Sequence, residues 1–385
     1  MVIEISKVVS KPDLQTFMAL PTTLYRNFEN YVPPLALETK KLLDPDLAPF
    51  FKYGEAQYWL AHRDGEVVGR ISAQIDSTQP AEAYGNAGLF GCLDVIDDMD
   101  VTRALLDTAE EWLRLKGVER AIGPLSMNLN GLGGLLVEGH DLEPMIMVPW
   151  HPPYLENHFE QLPYEQCRDL HYWRLEWSST MSARYAERKK LSRLPNGYEI
   201  RNLDFAQFDR DVEIVRGLYN TAWKENWGFV PLQPEDLEGL GAEMKPFLNK
   251  EMGIIVERQG KPAAMAVMIP NLSEITADVG PNPSPLGWAK LAYRRFFHQF
   301  QSGRVILFGI SPDIRHSVGG AVIAISIIEH LVDWLLNLNR KNGVIEAGWV
   351  LDNNHPLRNI LIQQGFHVSR TLRLYDRPLS SRIEK

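Results

Sequence analysis

The sequence predicts an α/β fold of the α+β kind. One arrangement of elements is used twice in tandem, each copy a mixed central sheet with flanking helices. Three observations carry that expectation. Apolar residues at the two-residue period of strands trade places along the chain with apolar runs at helical spacing. The order strand, helix, hairpin, strand, helix, strand, helix, strand occurs in residues 1–177 and again in residues 197–385. Between them lies a polar, basic stretch, residues 178–196 (SSTMSARYAERKKLSRLPN), which reads as a linker whose charges form a solvated face.

In the first half, Val2–Val9 alternates as a strand and Lys11–Arg26 has helical spacing. A proline-rich stretch comes next, with YVPPL (Tyr31–Leu35) and DPDLAPFF (Asp44–Phe51). Ala56–Arg63 and Glu66–Asp76 form a hairpin about Asp64-Gly65, residue types that tolerate the positive φ of a type I′ turn. Asn86–Leu93 is an apolar run. Val101–Lys116 puts Leu105, Leu106, Ala109, Trp112 and Leu113 at helical spacing and stops at Gly117. Arg120–Pro124 and Pro144–Val148 are short apolar pieces, Tyr154–Leu162 contains a short helix, and Leu170–Trp177 is a strand. In the second half, Tyr198–Leu203 is a strand and Phe205–Trp227 is helical. Gly253–Arg258 and Lys261–Pro270 form a hairpin about Gln259-Gly260. Val305–Ser311 is a strand, Ala321–Asn339 an amphipathic helix closed by Lys341 and Gly343, Val344–Leu351 a strand, Pro356–Gln364 a short helix and Val368–Tyr375 the last strand.

Composition narrows the function. With 385 residues, 45% of them apolar and 23% charged, the chain can bury a large core without staples. It carries 40 Lys and Arg against 49 Asp and Glu, a net charge of −9, which disfavours a nucleic acid partner. Cys92 and Cys167 form no CxxC, so neither a disulfide framework nor a zinc–cysteine site is expected. His140, His151, His158 and His171 lie in one region without an i,i+4 pair or an HExxH, and no metal is expected. The first residues lack an apolar signal region. The longest apolar stretch, Gly319–Ile328, stops at Glu329-His330, too short to span a bilayer. These readings predict a cytoplasmic protein, soluble or peripheral on the membrane. Oligomeric state leaves no mark in the sequence.

The most informative segment is VILFGISPDIRHSVGGAVIAISIIEHL (Val305–Leu331). An apolar strand enters a short polar turn with Arg315, His316 and paired glycines, and a helix starts at once. A helix N-terminus exposes N–H groups without intrahelical partners, and with the helix dipole these make a phosphate site. Such a turn is also a plain structural cap, and both readings are open at this point.

The segment resembles the acetyl-CoA-binding motif of the GNAT (Gcn5-related N-acetyltransferase) superfamily, in which a strand is followed by R/Q-x-x-G-x-G/A opening a helix. His316-Ser317-Val318-Gly319-Gly320-Ala321 fits with His in the first place; alternatively Arg315 is that residue and one residue is inserted. DNNHPLRNILIQQGF is similar to the superfamily's second motif, with Asn354 eleven residues before Gly365-Phe366. GRISAQID (Gly69–Asp76), NWGFVP (Asn226–Pro231) and PMIMVPWHPPY (Pro144–Tyr154) extend the resemblance to tandem GNAT-like acyl-CoA acyltransferases of bacteria, the group that includes bacterial ceramide synthase. The resemblance implies two GNAT-like folds, acyl-CoA as co-substrate and acyl transfer to an amine, with a sphingoid-type lipid amine among the acceptors. It places acyl-CoA at Ile310, Ser311, Arg315, His316, Ser317, Val318, Gly319, Gly320, Ala321 and Asn354. In this superfamily a glutamate often serves as base, and a tyrosine near the start of the last helix often protonates the leaving thiolate. That tyrosine position is Leu361 here.

Glu346 is the candidate base. Strand alternation puts Val344, Glu346, Gly348 and Val350 on one face, and Ile345, Ala347, Trp349 and Leu351 on the other. A carboxylate in a core strand is either paired or functional. His316 is the second catalytic candidate. Acceptor-binding candidates are Trp223, Asn226, Trp227 and Phe229, together with Asn128, which alternates with Ser126 and Asn130 in GPLSMNLNGLGG (Gly123–Gly134). The first half lacks the glycine turn. DVIDDMDVTRALL (Asp94–Leu106) puts four acids there, so that half is expected to shape the acceptor site rather than bind CoA. Leu286–Phe300, basic and aromatic, reads as an interfacial helix or as a buried core helix. Two other functions fit the same pattern less well: a non-catalytic acyl-CoA or lipid-binding protein, and an aminoacyl-tRNA-dependent transferase, which the net charge disfavours.

Overall fold

The alternating segments pair into one continuous sheet. The computed structural model describes residues 2–178, 193–237, 245, 248, 250–337 and 342–379; most of the linker expected at 178–196 lies outside the described residues. Five strands open the chain: β1 (Ile3–Lys7), β2 (Gly54–Arg63), β3 (Glu66–Asp76), β4 (Ala87–Val95) and β5 (Arg120–Gly123). Short β6 (Leu125–Ser126), β7 (Leu132–Gly133) and β8 (Leu135–Glu138) precede β9 (Glu165–Ser178). The second half adds β10 (Tyr198–Asn202), β11 (Gly253–Arg258), β12 (Lys261–Pro270), β13 (Ser302–Ile310), β14 (Asn342–Leu351) and β15 (His367–Pro378). The helices are α1 (Lys11–Tyr25), α2 (Ala36–Leu43), α3 (Ala81–Tyr84), α4 (Met99–Leu115), α5 (Tyr154–Glu160), α6 (Phe208–Ala222), α7 (Ser273–Thr276), α8 (Pro285–Phe297), α9 (Pro312–Arg315), α10 (Val318–Asn337) and α11 (His355–Gln363).

The strand order is β1-β2-β3-β4-β5-β15-β9-β14-β13-β12-β11-β10, with β8 also on β15. Two pairs are parallel, β4 with β5 and β13 with β14; the other pairs of this sheet are antiparallel. The last strand of each half crosses over. β9 pairs with β14 of the second half, and β15 returns to pair with β5 of the first. The cores match this exchange. Trp173, Leu175 and Trp177 of β9 pack under α10 with Ile323, Ile327 and Leu331. Tyr375 of β15 packs in the first half's core, its ring stacked 4.3 Å from Phe159. Full burial of such side chains is worth roughly 1.5–3 kcal/mol each, so the two halves share stability as well as a sheet.

Local chemistry sets the ends. Ser10 caps α1 through Asp13 N–H, with Asp13 returning the bond to the Ser10 N–H. Asp98 caps α4 by accepting from Asp100 and Val101 N–H. The long helix expected over Phe205–Trp227 starts later and ends at Ala222. Trp223 turns out of it, donating through Nε1 to Phe308 O at 3.0 Å. The short apolar piece Pro144–Val148 is a loop, held by Asn271, whose Oδ1 accepts from Ile146 N–H and whose Nδ2 donates to Pro144 O.

Of the four histidines in this region, His151 and His158 are buried. His151 is buried and its Nδ1 accepts from Leu136 N–H at 3.2 Å; burial depresses its pKa to about 4. His158 bridges Thr102 and Asp97. Among the described residues, no three of His, Cys, Asp and Glu come together as metal ligands. His151 predicts a pH effect. Between about pH 6.5, where the unfolded residue titrates, and about pH 4, the unfolded chain binds a proton that the folded chain refuses. Stability therefore falls as pH falls through that window, by about 2 kcal/mol from this residue at pH 5. Urea unfolding at pH 7.5 and pH 5 is expected to show that extra loss in the parent chain and not in His151→Gln. Equal losses in the two proteins refute it.

Candidate active site

The site grows out of a parting of two parallel strands. Ser302–Val305 of β13 pair with Val344–Ala347 of β14, and the pairing stops there. From that point β13 stays with β12, through Leu307, Phe308, Gly309 and Ile310, while β14 stays with β9. The β14 register on β9 shifts between Ala347 and Val350. Here the strict alternation expected from sequence fails. Val350 joins Ile345 and Ala347 in the core beneath α10, while Trp349 and Leu351 turn to the opposite cluster. An extra residue in a strand produces this change of face. Gly348 permits it: a Cβ there would meet the Tyr172 ring at 2.7 Å.

The gap is a narrow cleft, roughly 780 Å³ only when the open solvent at its mouth is counted in. Ile306 and Phe308 form one wall, Ile328 and Leu331 of α10 its floor, and Trp349 and Leu361 the far side. Trp223 closes it edge-on to Trp349, the ring centroids 5.6 Å apart. Asn226 and Asn354 supply the side-chain amides, and no titratable side chain is among the lining residues described. Asn354 also caps α11, accepting from Leu357 N–H at 3.4 Å. By strand alternation, Ile306, Phe308 and Ile310 direct backbone groups away from β12, and Phe308 O accepts from Trp223 there.

The glycine turn sits at the end of β13. Ser311 N–H closes the ladder to Ala263 O at 2.8 Å. Ser317 organises the start of α10. Its Oγ donates to Ile314 O at 2.7 Å and accepts from Gly320 N–H at 3.0 Å, and its carbonyl accepts from Ala321 N–H. Val318 and Gly319 N–H find no partner among the described residues. The two glycines differ. A Cβ on Gly320 would lie 2.2 Å from Ile314 O, so this glycine lets helix and turn touch. Among the described residues, a Cβ on Gly319 would meet Ser317 Oγ at 3.5 Å and Pro195 Cγ at 3.6 Å, both ordinary van der Waals contacts. Arg315 faces the protein. It donates to Ala222 O at 3.0 Å, pairs with Glu225, and through Nε reaches His316 Nε2 at 3.1 Å. The His316 side chain is exposed beside the turn.

The acceptor candidates separate into two groups. Trp223 and Asn226 line the cleft. Trp227 instead packs on Tyr84 at 5.3 Å with the Arg168 guanidinium over its ring, and Phe229 is buried against Tyr219. Asn128 is buried away from the cleft and donates to Asp76 Oδ2 at 3.0 Å. Its neighbour Asn130 spans the halves, donating to Val230 O at 3.1 Å and accepting from Tyr219 OH at 2.8 Å. The GPLSMNLN loop thus latches the NWGFVP loop.

Glu346 lies on the other face of β14 from Ile345 and Ala347. It is fully buried and paired through Oε2 with Arg370, while Oε1 has no partner among the described residues. Burial pushes its carboxyl pKa up, against the pull of Arg370, Arg304 and Arg174. Arg304 beside it donates to Ile146 O at 2.9 Å, to Tyr172 OH at 3.3 Å and to Gly348 O at 3.1 Å. This network holds the Gly348 bulge, and the structure does not bring Glu346 to the cleft wall or to His316.

The corresponding place in the first half is closed. β4 and β5 pair over Ala87–Leu89 and Arg120–Ile122, but the chain beyond stays in contact. Cβ atoms on Gly91 and Gly123 would lie 2.1 Å from Leu125 O and 2.3 Å from Phe90 O. The acids expected there are all engaged: Asp94 with Arg70, Asp97 with His158, Asp98 with Arg63 and the α4 N-terminus, Asp100 with Arg103.

A sheet that parts between two parallel strands, the first of which runs through a glycine turn into a long helix, has the form of the GNAT fold. The chain belongs to the family that contains bacterial ceramide synthase. It is 32% identical over 373 residues to bacterial ceramide synthase of Caulobacter vibrioides, covering 97% of this chain and 96% of that protein. It is 35% identical over 372 residues to protein YghO of Escherichia coli, covering 96% and 94%. Among solved structures it resembles a tandem GNAT protein from the clavulanic acid biosynthesis pathway, with a TM-score of 0.58 at 12% identity over 99% of both chains. A GCN5-related N-acetyltransferase from Sphaerobacter thermophilus gives a TM-score of 0.51 at 12% identity, over 100% of this chain and 98% of that one. No protein-family model matches the chain.

Proposed function

We propose that this protein transfers an acyl group from acyl-CoA to the amine of a lipid, a sphingoid-type amino alcohol, in the cleft between β13 and β14. The observation that carries the reading is an apolar cleft lined by β13, the strand that runs on into the turn where two N–H groups at the start of α10 have no partner among the described residues. The N–H groups of Val318 and Gly319 suit a phosphate of CoA. The outward backbone groups of β13 suit the amides of its pantetheine arm, and the apolar walls suit an acyl chain. Ile310, Ser311, His316, Ser317, Gly320, Ala321 and Asn354 complete that proposed site, with Arg315 holding the turn to α6. The name of the Caulobacter relative supports a sphingoid-type acceptor.

Transfer needs an amine without its proton next to the thioester. An apolar cleft favours the neutral amine, because burial disfavours the ammonium. The expelled thiolate needs no acid from the protein, since a thiol pKa is near 8.5. Trp223, Asn226 and Trp349 orient the two substrates, and exposed His316 is the proposed proton carrier. The first half, closed at the equivalent place, acts by bracing the acceptor loop through Asn130. On this reading residues 1–177 and 197–385 have unequal roles. The test is thiol release from acyl-CoA with and without sphinganine. Release that depends on the long-chain amine, and is far slower with a short soluble amine, is expected. Binding of acyl-CoA without release for any amine overturns the proposal.

A further inference from the structure

We propose that α8 is a docking helix for an anionic lipid bilayer, and this stands apart from which amine the cleft accepts. By sequence, Leu286–Phe300 is open between a core helix and an interfacial one. In the structure only Leu291 of α8 is buried, against Leu272 and Ile275. Leu286, Tyr293, Phe296 and Phe297 are 80%, 64%, 72% and 66% exposed. At about 100° per residue, Leu286, Tyr293 and Phe297 fall on one line of the helix, with Ala289 and Phe296 beside it. This apolar stripe faces solvent, the reverse of a helix that packs on a protein core.

The charges say what covers the stripe. Residues 285–297 contain no acid and three cations, Lys290, Arg294 and Arg295. Lys290 and Arg294 flank the stripe and share a single carboxylate, Asp278, leaving a surplus of positive charge. Arg295 lies over the Phe296 ring, 5.2 Å from its centroid. A second copy of this helix would bring like charges together, whereas anionic headgroups neutralise them. The helix is already built for the task. Ser284 caps it by accepting from Gly287 N–H at 3.1 Å, Arg294 ties it to Ile275 O at 2.8 Å, and Tyr293 stacks on Phe297. The neighbouring α2, joined by Ala36 N–H to Pro281 O at 2.8 Å, adds exposed Leu37. No helix among the described residues is long and apolar enough to cross a membrane, so the contact is with the surface.

The experiment is co-sedimentation with phosphatidylcholine vesicles, with and without phosphatidylglycerol, at low and high salt. Binding is expected to require phosphatidylglycerol, to fall as salt rises, and to drop about tenfold in the Phe296→Ser/Phe297→Ser variant. Equal binding by that variant, binding indifferent to phosphatidylglycerol, or pelleting without vesicles that grows with protein concentration overturns it, the last pointing to a second copy. Thiol release with a short soluble amine and no vesicles reports on the cleft alone. It is expected to be unchanged in the variant, so failure of this inference is distinguishable from failure of the proposed reaction.

Discussion

Gly319→Val is expected to weaken acyl-CoA binding by on the order of tenfold or more, about 1.4 kcal/mol, without lowering the unfolding midpoint. The neighbouring substitution Gly320→Ala is expected to do the opposite first: lower the midpoint, with loss of turnover as its consequence. The side chain of a helical residue points toward the helix N-terminus. At Gly319 that direction holds no atom of the described residues nearer than 3.5 Å, and it is the direction of the N–H groups of Val318 and Gly319, which have no partner among those residues. A valine fills space that a phosphate would occupy, and it costs the folded protein little, because glycine is itself the poorer helix former. At Gly320 the new methyl meets the Ile314 carbonyl oxygen at 2.2 Å. Backbone must move, at a cost of about 1–3 kcal/mol by analogy with overpacked cores. A misplacement of about 1 Å is enough to reduce turnover on the order of a hundredfold. Calorimetric titration with CoA and thermal unfolding of both variants separate the effects. If Gly319→Val binds CoA like the parent, the cofactor does not lie on this turn.

The same physics accounts for the asymmetry of the halves. In the first, Asp98 already satisfies the N–H groups of Asp100 and Val101, and Leu125 lies against Gly91 where the opening would be. A carboxylate from the chain stands at α4 where, at α10, we propose a phosphate. One fold thus presents two outcomes, decided by a capping residue and by the path of the chain after β5.

Much of this was legible in the sequence, and the exceptions have physical causes. Hairpins about Asp64-Gly65 and Gln259-Gly260, and the helix after the glycine turn, carry local signals and form as expected. The exchange of β9 and β15 does not show locally, since a strand's alternation says which face is buried and not which strand it pairs with. The alternation that places Glu346 holds only as far as Ala347; Gly348 in mid-strand is the one hint of a bulge, and with it Trp349 turns to face Trp223. Trp227 and Asn128 have the residue types of a binding site, but their partners, Tyr84 and Asp76, lie far away in sequence. Side-chain chemistry was readable there, and which groups it would satisfy was not.

Glu346→Gln is expected to destabilise the protein by about 3–5 kcal/mol, and any loss of turnover is expected to come from that rather than from loss of a base. The carboxylate is fully buried, bonded to Arg370, and stands among Arg304 and Arg174, on the face of β14 away from the cleft. Removing its charge leaves buried Arg370 without its counter-ion, the costly way to break such a pair. Removing both partners is different, because paired charges replaced by apolar groups of similar size often cost nothing. We therefore expect Glu346→Leu/Arg370→Met to regain most of the stability lost in Glu346→Gln, and turnover with it. Arg304 would still hold Gly348 O, so the bulge and Trp349 would keep their places. A base cannot be restored in this way. If the double variant is stable, binds acyl-CoA and still releases no thiol, Glu346 acts on the substrate and not through the position of β14. The pH profile of kcat gives a second reading. A positioning residue leaves its acidic limb unmoved in the double variant, whereas loss of a base removes that limb.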